Sequence, residues 1–206
     1  RSGLKSLAAM GVVQIRQGAG TFITAGPPKL GSEPLSFLAA LHGFTRNQMF
    51  EARLVLEVTI AGIAAERARE APERVMAISD ETTGMFASLD DPDRFLDHDI
   101  QFHRAVAAVA DNPILSSLVE MVSTLFRELR QVTIRRARDL REAAEEHLAI
   151  YQAIRAHDPD RARRAMSDHL LRAQRSQAQE ENGAAERPEG EASGTAAVAT
   201  NQGQPQ

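Results

Sequence analysis

Apolar residues recur at helical spacing along most of the chain. Phe95, Phe102, Val106 and Val109 share one face of a helix opening at Pro92. Leu140, Ala144, Leu148, Tyr151 and Ile154 form a second stripe, and Ala162, Met166, Leu170 and Ala173 a third. Start signals punctuate these stripes: Asp91-Pro92, Asn112-Pro113 and Asp158-Pro159 each set a capping side chain before a proline suited to the first helical position. The pattern predicts helices from Pro92 toward Asn112, from Pro113 to about Arg136, across Asp139 to His157, and from Pro159 to about Gln179. Upstream it predicts a short helix over Ser36 to Leu41, a long one capped by Thr45 and reaching about Glu70, and another over Glu73 to Leu89.

The two ends of the chain read differently. Leu4, Leu7 and Ala8 suggest a short helix ending at Gly11, followed by strand-like runs at Val12 to Arg16 and Thr21 to Thr24. "QGAG" joins the runs, and Gly18 and Gly20 can take the positive φ of a tight hairpin turn. "AGPPKLGSEP" is a linker by composition. From about Glu180, "EENGAAERPEGEASGTAAVATNQGQPQ" has almost no bulky apolar residue, which predicts a disordered tail. No repeat of solenoid length is present.

Of the 206 residues, 43% are hydrophobic and 25% charged, enough for one sizeable core. Cysteine is absent, so disulfides and thiol chemistry are excluded and any metal must be held by histidines and carboxylates. With 4% aromatic residues and no Trp, the core rests on Leu, Ile, Val, Ala and Met, a helix-favouring set. Neither a membrane span nor a signal segment is legible, so the expectation is a cytoplasmic protein without a membrane partner. The net charge of -4 hides an asymmetry: up to Ser32 the chain carries Arg1, Lys5, Arg16 and Lys29 and no acid, leaving the remainder at -8. A basic front on an acidic body is compatible with a module that faces nucleic acid.

The face defined by Phe95 and Phe102 also carries Asp99 and His103, one turn apart. A buried, unpaired charge costs several kcal/mol or shifts its pKa until it neutralises, so partners are required. His147 falls in the second stripe and His169 in the third. His147 lies ten residues before His157 and His169 ten after Pro159, each roughly 15 Å from the same turn at about 1.5 Å per residue. An antiparallel helix pair would bring them level. A single histidine on an apolar face is more often a hydrogen-bonded core residue, and Asp99 with His103 could be a simple i,i+4 pair. Four such residues on three helices favour a divalent metal site, for zinc first, with nickel, cobalt or manganese as alternatives. His98 points about 100° away and reads as solvated; His42 and His157 read as surface or turn residues, and Asn112 as a helix cap.

With both parts in view, the chain resembles the GntR family of bacterial transcription regulators, in its FadR-like subfamily with an FCD effector domain. "LKSLAAMGVVQIRQGAGTFI" is similar to the end of the family's recognition helix and its wing. "DIQFH" with "ADNPIL", then "EEHLAIYQAIRAHD" and "ARRAMSDHL", resemble the FCD signature in order and spacing. The resemblance implies a mainly α fold: an antiparallel FCD-like bundle of six to seven helices behind a partial winged helix-turn-helix. It divides the chain into a truncated DNA-binding domain over 1–26, a linker over 27–33, a ligand-binding and dimerisation domain over 34–178 and a tail over 179–206. It carries the metal ligands onto Asp99, His103, His147 and His169, and implies a small carboxylate or related organic acid as effector. Arg53 falls where the family's effector-reaching Arg stands, and a guanidinium suits bidentate carboxylate recognition. On spacing alone a surface pair with Glu57 fits Arg53 equally well. Arg127 and Arg130 are weaker effector candidates.

The resemblance also implies an operator-DNA partner, a homodimer, and DNA contacts from Arg1, Lys5, Arg16, Gln17 and Gly18. The chain opens part-way into the expected recognition helix, so it reads as a fragment of a longer regulator that should sense its ligand but bind an operator poorly. The expectation is therefore a ligand-responsive regulator and not an enzyme. A metal-dependent hydrolase using the His/Asp site is the alternative, though no HExxH pattern or separate general base is legible. A third reading is a dimerisation module whose histidine network is purely structural.

Overall fold

The computed structural model describes residues 2–9, 13–23, 43–136 and 140–185. The expected linker at 27–33, the short helix at Ser36 to Leu41, and Arg1, Gly11 and His42 lie outside them, as do residues 186–206. Helix α1 (Ser2–Ala9) is followed by strands β1 (Val13–Arg16) and β2 (Gly20–Ile23), paired antiparallel with Val13 opposite Ile23 and Arg16 opposite Gly20. Gly18 and Gly20 adopt φ of 78° and 109°, a left-handed backbone that explains why glycines close this turn.

Six further helices form the bundle: α2 (Arg46–Arg67), α3 (Pro72–Phe86), α4 (Pro92–Val109), α5 (Pro113–Arg136), α6 (Leu140–Arg155) and α7 (Pro159–Ala185), with a 3₁₀ turn at Ala68–Glu70. Their starts follow local chemistry. Thr45 Oγ1 accepts from the Gln48 backbone N–H at 3.2 Å while Gln48 Oε1 accepts from that of Thr45 at 3.0 Å, a reciprocal capping box. Asp91, Asn112 and Asp158 cap α4, α5 and α7 through backbone N–H groups at 3.1, 3.1 and 2.9 Å. Two residues past the ends of α4 and α6 stand Asp111 and His157, both with positive φ; His157 is the turn residue that the sequence suggests.

Two boundaries depart from the sequence reading. Helix α3 ends at Phe86, three residues short of Leu89, and α7 continues to Ala185, past the start expected for the tail. "SQAQEENGAA" lacks an apolar face, yet Ala, Gln and Glu propagate a helix already nucleated and packed upstream.

Helix α2 lies at the centre, against α7 along most of its length and also touching α4, α5 and α6; α3 packs on α4, α4 on α5, and α6 on α7. The predicted stripes turn inward. Phe95, Phe102, Val106 and Val109 of α4 are buried, with Ala144 and Ile154 of α6 and Ala162, Met166 and Leu170 of α7, while Leu148, Tyr151 and Ala173 sit half-buried at the edges. Together α2, α4, α5, α6 and α7 enclose the polar cluster described next.

Candidate metal centre

Helix α4 presents Asp99 and His103 on its buried face, α6 adds His147 and α7 adds His169. One ligand atom from each of the four lies within 4.8 Å of all the others. The His147 and His169 rings are 4.3 Å apart between centroids, and that of His103 stands 5.6 and 5.5 Å from them. The equal distances of His147 and His169 from the α6–α7 turn do bring them level.

Each imidazole is held from behind by an acceptor. His147 Nδ1 donates to the Ala143 carbonyl at 2.7 Å, so in the neutral ring the lone pair is on Nε2, which stands 3.1 Å from Asp99 Oδ1. His169 Nδ1 faces Glu146 Oε2 at 3.0 Å, and His103 Nδ1 contacts Glu57 Oε2. His103 Nε2 stands 3.8 Å from Asp99 Oδ1, and the Nε2 atoms of His103 and His147 are buried without a hydrogen-bond partner. A carboxylate oxygen opposed by imidazole lone pairs is unfavourable unless a cation lies between them. Donors of this type, with their Nδ1 atoms anchored, fit a divalent metal.

Burial pushes His103 down to about 3, the attraction of Glu57 offsetting only part of it. Burial, then the charge of His147, also depresses His169 well below the usual imidazole range. Burial by itself would raise Asp99, but the Arg130 charge and the facing His147 and His103 imidazoles hold it well below the usual carboxylate range. His103 and His169 are thus held as neutral nitrogen donors beside an ionised Asp99, the protonation pattern a metal requires.

Two arginines back this cluster. Arg53 is 2% exposed and its Nε donates to Glu57 Oε1 at 2.6 Å. The i,i+4 pair suggested by spacing therefore forms, but on the inner face of α2 and not at the surface; the Arg53 guanidinium lies 5.3 Å from the Phe126 ring centroid. Arg130 Nη1 donates to Asp99 Oδ2 at 2.6 Å, leaving Oδ1 toward the histidines, and Arg130 Nη2 lies 3.8 Å from Glu57 Oε1. Burial raises Glu57, but Arg53, His103 and Arg130 together hold it well below the usual range.

Arg127 is not brought into this cluster. It stands outside, paired with Asp97 at 3.1 Å with its side chain 58% exposed, because Phe126 and Arg130 occupy the buried face of α5 and Arg127 is turned about 100° from Phe126. His98 is half-buried rather than solvated: its Nδ1 meets Glu81 Oε2 at 2.8 Å and its ring lies where a side chain on Gly84 would stand. Sequence reasoning offers Glu57 only as a surface partner of Arg53 and passes over Glu146. Glu57 had a signal, since Phe50, Arg53, Glu57, Ile60 and Ala64 fall at helical spacing on one buried face. Lys5, Arg16, Gln17 and Gly18 are exposed on α1 and the hairpin, with Arg16 bonded to Gln14 at 3.1 Å and its guanidinium 5.4 Å from the Phe22 ring centroid.

Among the described residues no helix is long and apolar enough to cross a membrane. The FCD domain family matches residues 48–172. The chain is 32% identical to the HTH-type transcriptional regulator LutR of Bacillus subtilis, over 82% of its own length and 79% of LutR. It is 31% identical to the HTH-type transcriptional repressor NanR of Klebsiella aerogenes, over 82% of itself and 66% of NanR. A solved structure of Streptococcus agalactiae GntR shares the fold with a TM-score of 0.66 at 24% identity, covering 85% of this chain and 80% of that one. The structure of Escherichia coli McbR/YncC gives a TM-score of 0.55 at 15% identity, covering 87% and 83%. LutR and NanR are named as transcriptional regulators and not as enzymes, and the FCD match covers more than half of the chain: the chain belongs to the FCD-domain family of GntR-type, ligand-responsive transcriptional regulators.

Proposed function

We propose that the helical domain senses a small carboxylate through a divalent metal, zinc first, held by Asp99, His103, His147 and His169. The observation that carries this reading is the hydrogen-bonded Nδ1 atoms of His147 and His169 and the contact of His103 with Glu57, with the Nε2 atoms of His103 and His147 buried and unpartnered beside Asp99 Oδ1. When bound, the metal supplies a Lewis-acid position for a carboxylate oxygen. Arg53 and Arg130 supply guanidinium donors beside it, orient the anion and keep Asp99 ionised.

The carboxylate would alter operator binding by favouring one arrangement of a homodimer over another, which requires different affinities for the two arrangements. Residues 1–26 would form part of the reading head, residues 27–33 the linker and residues 34–178 the sensing and dimerising domain. Lys5, Arg16, Gln17 and Gly18 would meet the DNA backbone or minor groove together with Arg1, in the cytoplasm.

Elemental analysis of protein purified without chelator tests the core of this reading. The expected content is about one divalent ion per chain, lost on replacing His147 and His169 together by Ala. Full occupancy in the double variant would overturn the ligand assignment.

A further inference from the structure

Four ionised groups are buried around the candidate centre: Arg53, Arg130, Glu57 and Asp99. Their charges cancel. Glu146, which backs His169, lies at the rim, where it shares the half-exposed Arg172, 2.5 Å away, with Glu142; it stands outside the enclosed four. Resting on the metal reading above, a divalent ion held by Asp99 and three neutral imidazoles adds two positive charges to an enclosed, balanced cluster. Burying uncompensated charge is expensive, so the occupant that completes the site must bring about two negative charges.

The hydrogen-bond inventory points the same way. Arg53 Nη2 and the Nε and Nη2 of Arg130 are buried without a hydrogen-bond partner, so two separate guanidiniums still offer donors after Glu57 and Asp99 have taken theirs. One carboxylate that gives an oxygen to a metal keeps a single oxygen clear of it, too little to meet two guanidiniums with paired, parallel hydrogen bonds. A second carboxylate lets each guanidinium have its own.

We infer that the effector is a dianion, a small dicarboxylate, read by the paired guanidiniums of Arg53 and Arg130 beside the metal. A monocarboxylate leaves the filled site with one charge uncompensated and the two guanidiniums sharing one free oxygen. The preference comes from charge count, so it belongs to Arg53 as a cation and not only as a fork of donors.

The test is calorimetric titration of the full, metal-loaded chain at fixed ionic strength with acetate, propionate, malonate, succinate and inorganic phosphate, with metal content read in parallel by elemental analysis. Malonate or succinate should bind at least about tenfold tighter than either monocarboxylate. Arg53→Lys should keep that preference at reduced affinity, whereas Arg53→Gln should lose it. Equal or tighter binding of acetate or propionate overturns the inference. So does tighter binding of phosphate than of both dicarboxylates, or no binding of any probe to protein that holds its ion. Protein holding no ion overturns the metal reading itself, and the dianion with it, because the bare cluster is neutral. If neither Arg53 variant folds, the panel on the unaltered chain decides alone.

Discussion

Histidines at this site are governed by what stands behind them. Glu146 and Glu57 hold the Nδ1 atoms of His169 and His103, and such outer partners typically change metal affinity by about 10- to 100-fold. Glu146→Gln should therefore weaken metal binding by roughly that factor, measured by competition with a chromophoric chelator, while the helical content of the protein stays as it is. Protonation sets a second expectation, for chelator-treated protein. His103 titrates near 3 when folded against about 6.5 when unfolded. Between those values the unfolded chain binds a proton that the folded protein refuses, so stability rises with pH across the window and is lost as pH falls below about 6.5. Urea unfolding of the metal-free chain at pH 5.5 should give about 1 kcal/mol less stability than at pH 7 from His103 alone, with His169 acting in the same direction. Stability unchanged between the two would show that His103 titrates normally.

Elements meet through a few close approaches, and Gly84 marks one between α3 and α4. Its missing side chain makes room for the His98 ring, which Glu81 holds from the same helix. Gly84→Ala should destabilise the bundle by about 1 to 3 kcal/mol through overpacking, despite the better helix propensity of Ala. Adding His98→Ala should recover part of that loss, read by denaturant midpoints of the two single variants and the double one; strict additivity would place the strain elsewhere. The cap at Asn112 is a simpler case. Its side chain accepts from Ile114 and Leu115 at 3.1 and 3.3 Å, so Asn112→Ala should cost about 1 kcal/mol and leave metal content alone.

Across the whole molecule, the metal ligands come from α4, α6 and α7, with α2 and α5 behind them, so a bound ion ties together most of the bundle. Removing it should lower the melting temperature, and restoring it should raise that temperature with metal concentration, because only the folded chain assembles all four ligands. A melting temperature indifferent to chelator and to added zinc would argue for a purely structural histidine network. The same convergence offers a route to the DNA-binding part: an anion pulling on Arg53 of α2 acts on the helix nearest the front of the chain among the six of the bundle. Typical coupling energies are about 1 to 3 kcal/mol, and operator affinity measured with and without succinate would report them in a protein carrying a whole reading head.

Helix starts at Thr45, Asp91, Asn112 and Asp158 follow from local sequence, because capping depends on residues within one turn of each other. The inward faces follow from it too, since a stripe of period 3.6 has one way to bury itself. Asp99, His103, His147 and His169 were legible for that reason, as polar residues within apolar stripes, and the two flanks of one turn even set His147 level with His169. Partners across helices were not legible. Whether Arg53 and Glu57 pair at the surface or beneath it, whether Arg127 or Arg130 reaches Asp99, and whether His98 meets water or Glu81 all depend on how helices rotate and pack against one another. Those rotations are fixed by the summed fit of many side chains from distant parts of the chain, such as Phe126 against Arg53, and no local pattern encodes them. Packing of the whole bundle sets them, and with them which charges are buried and which groups stand behind each histidine.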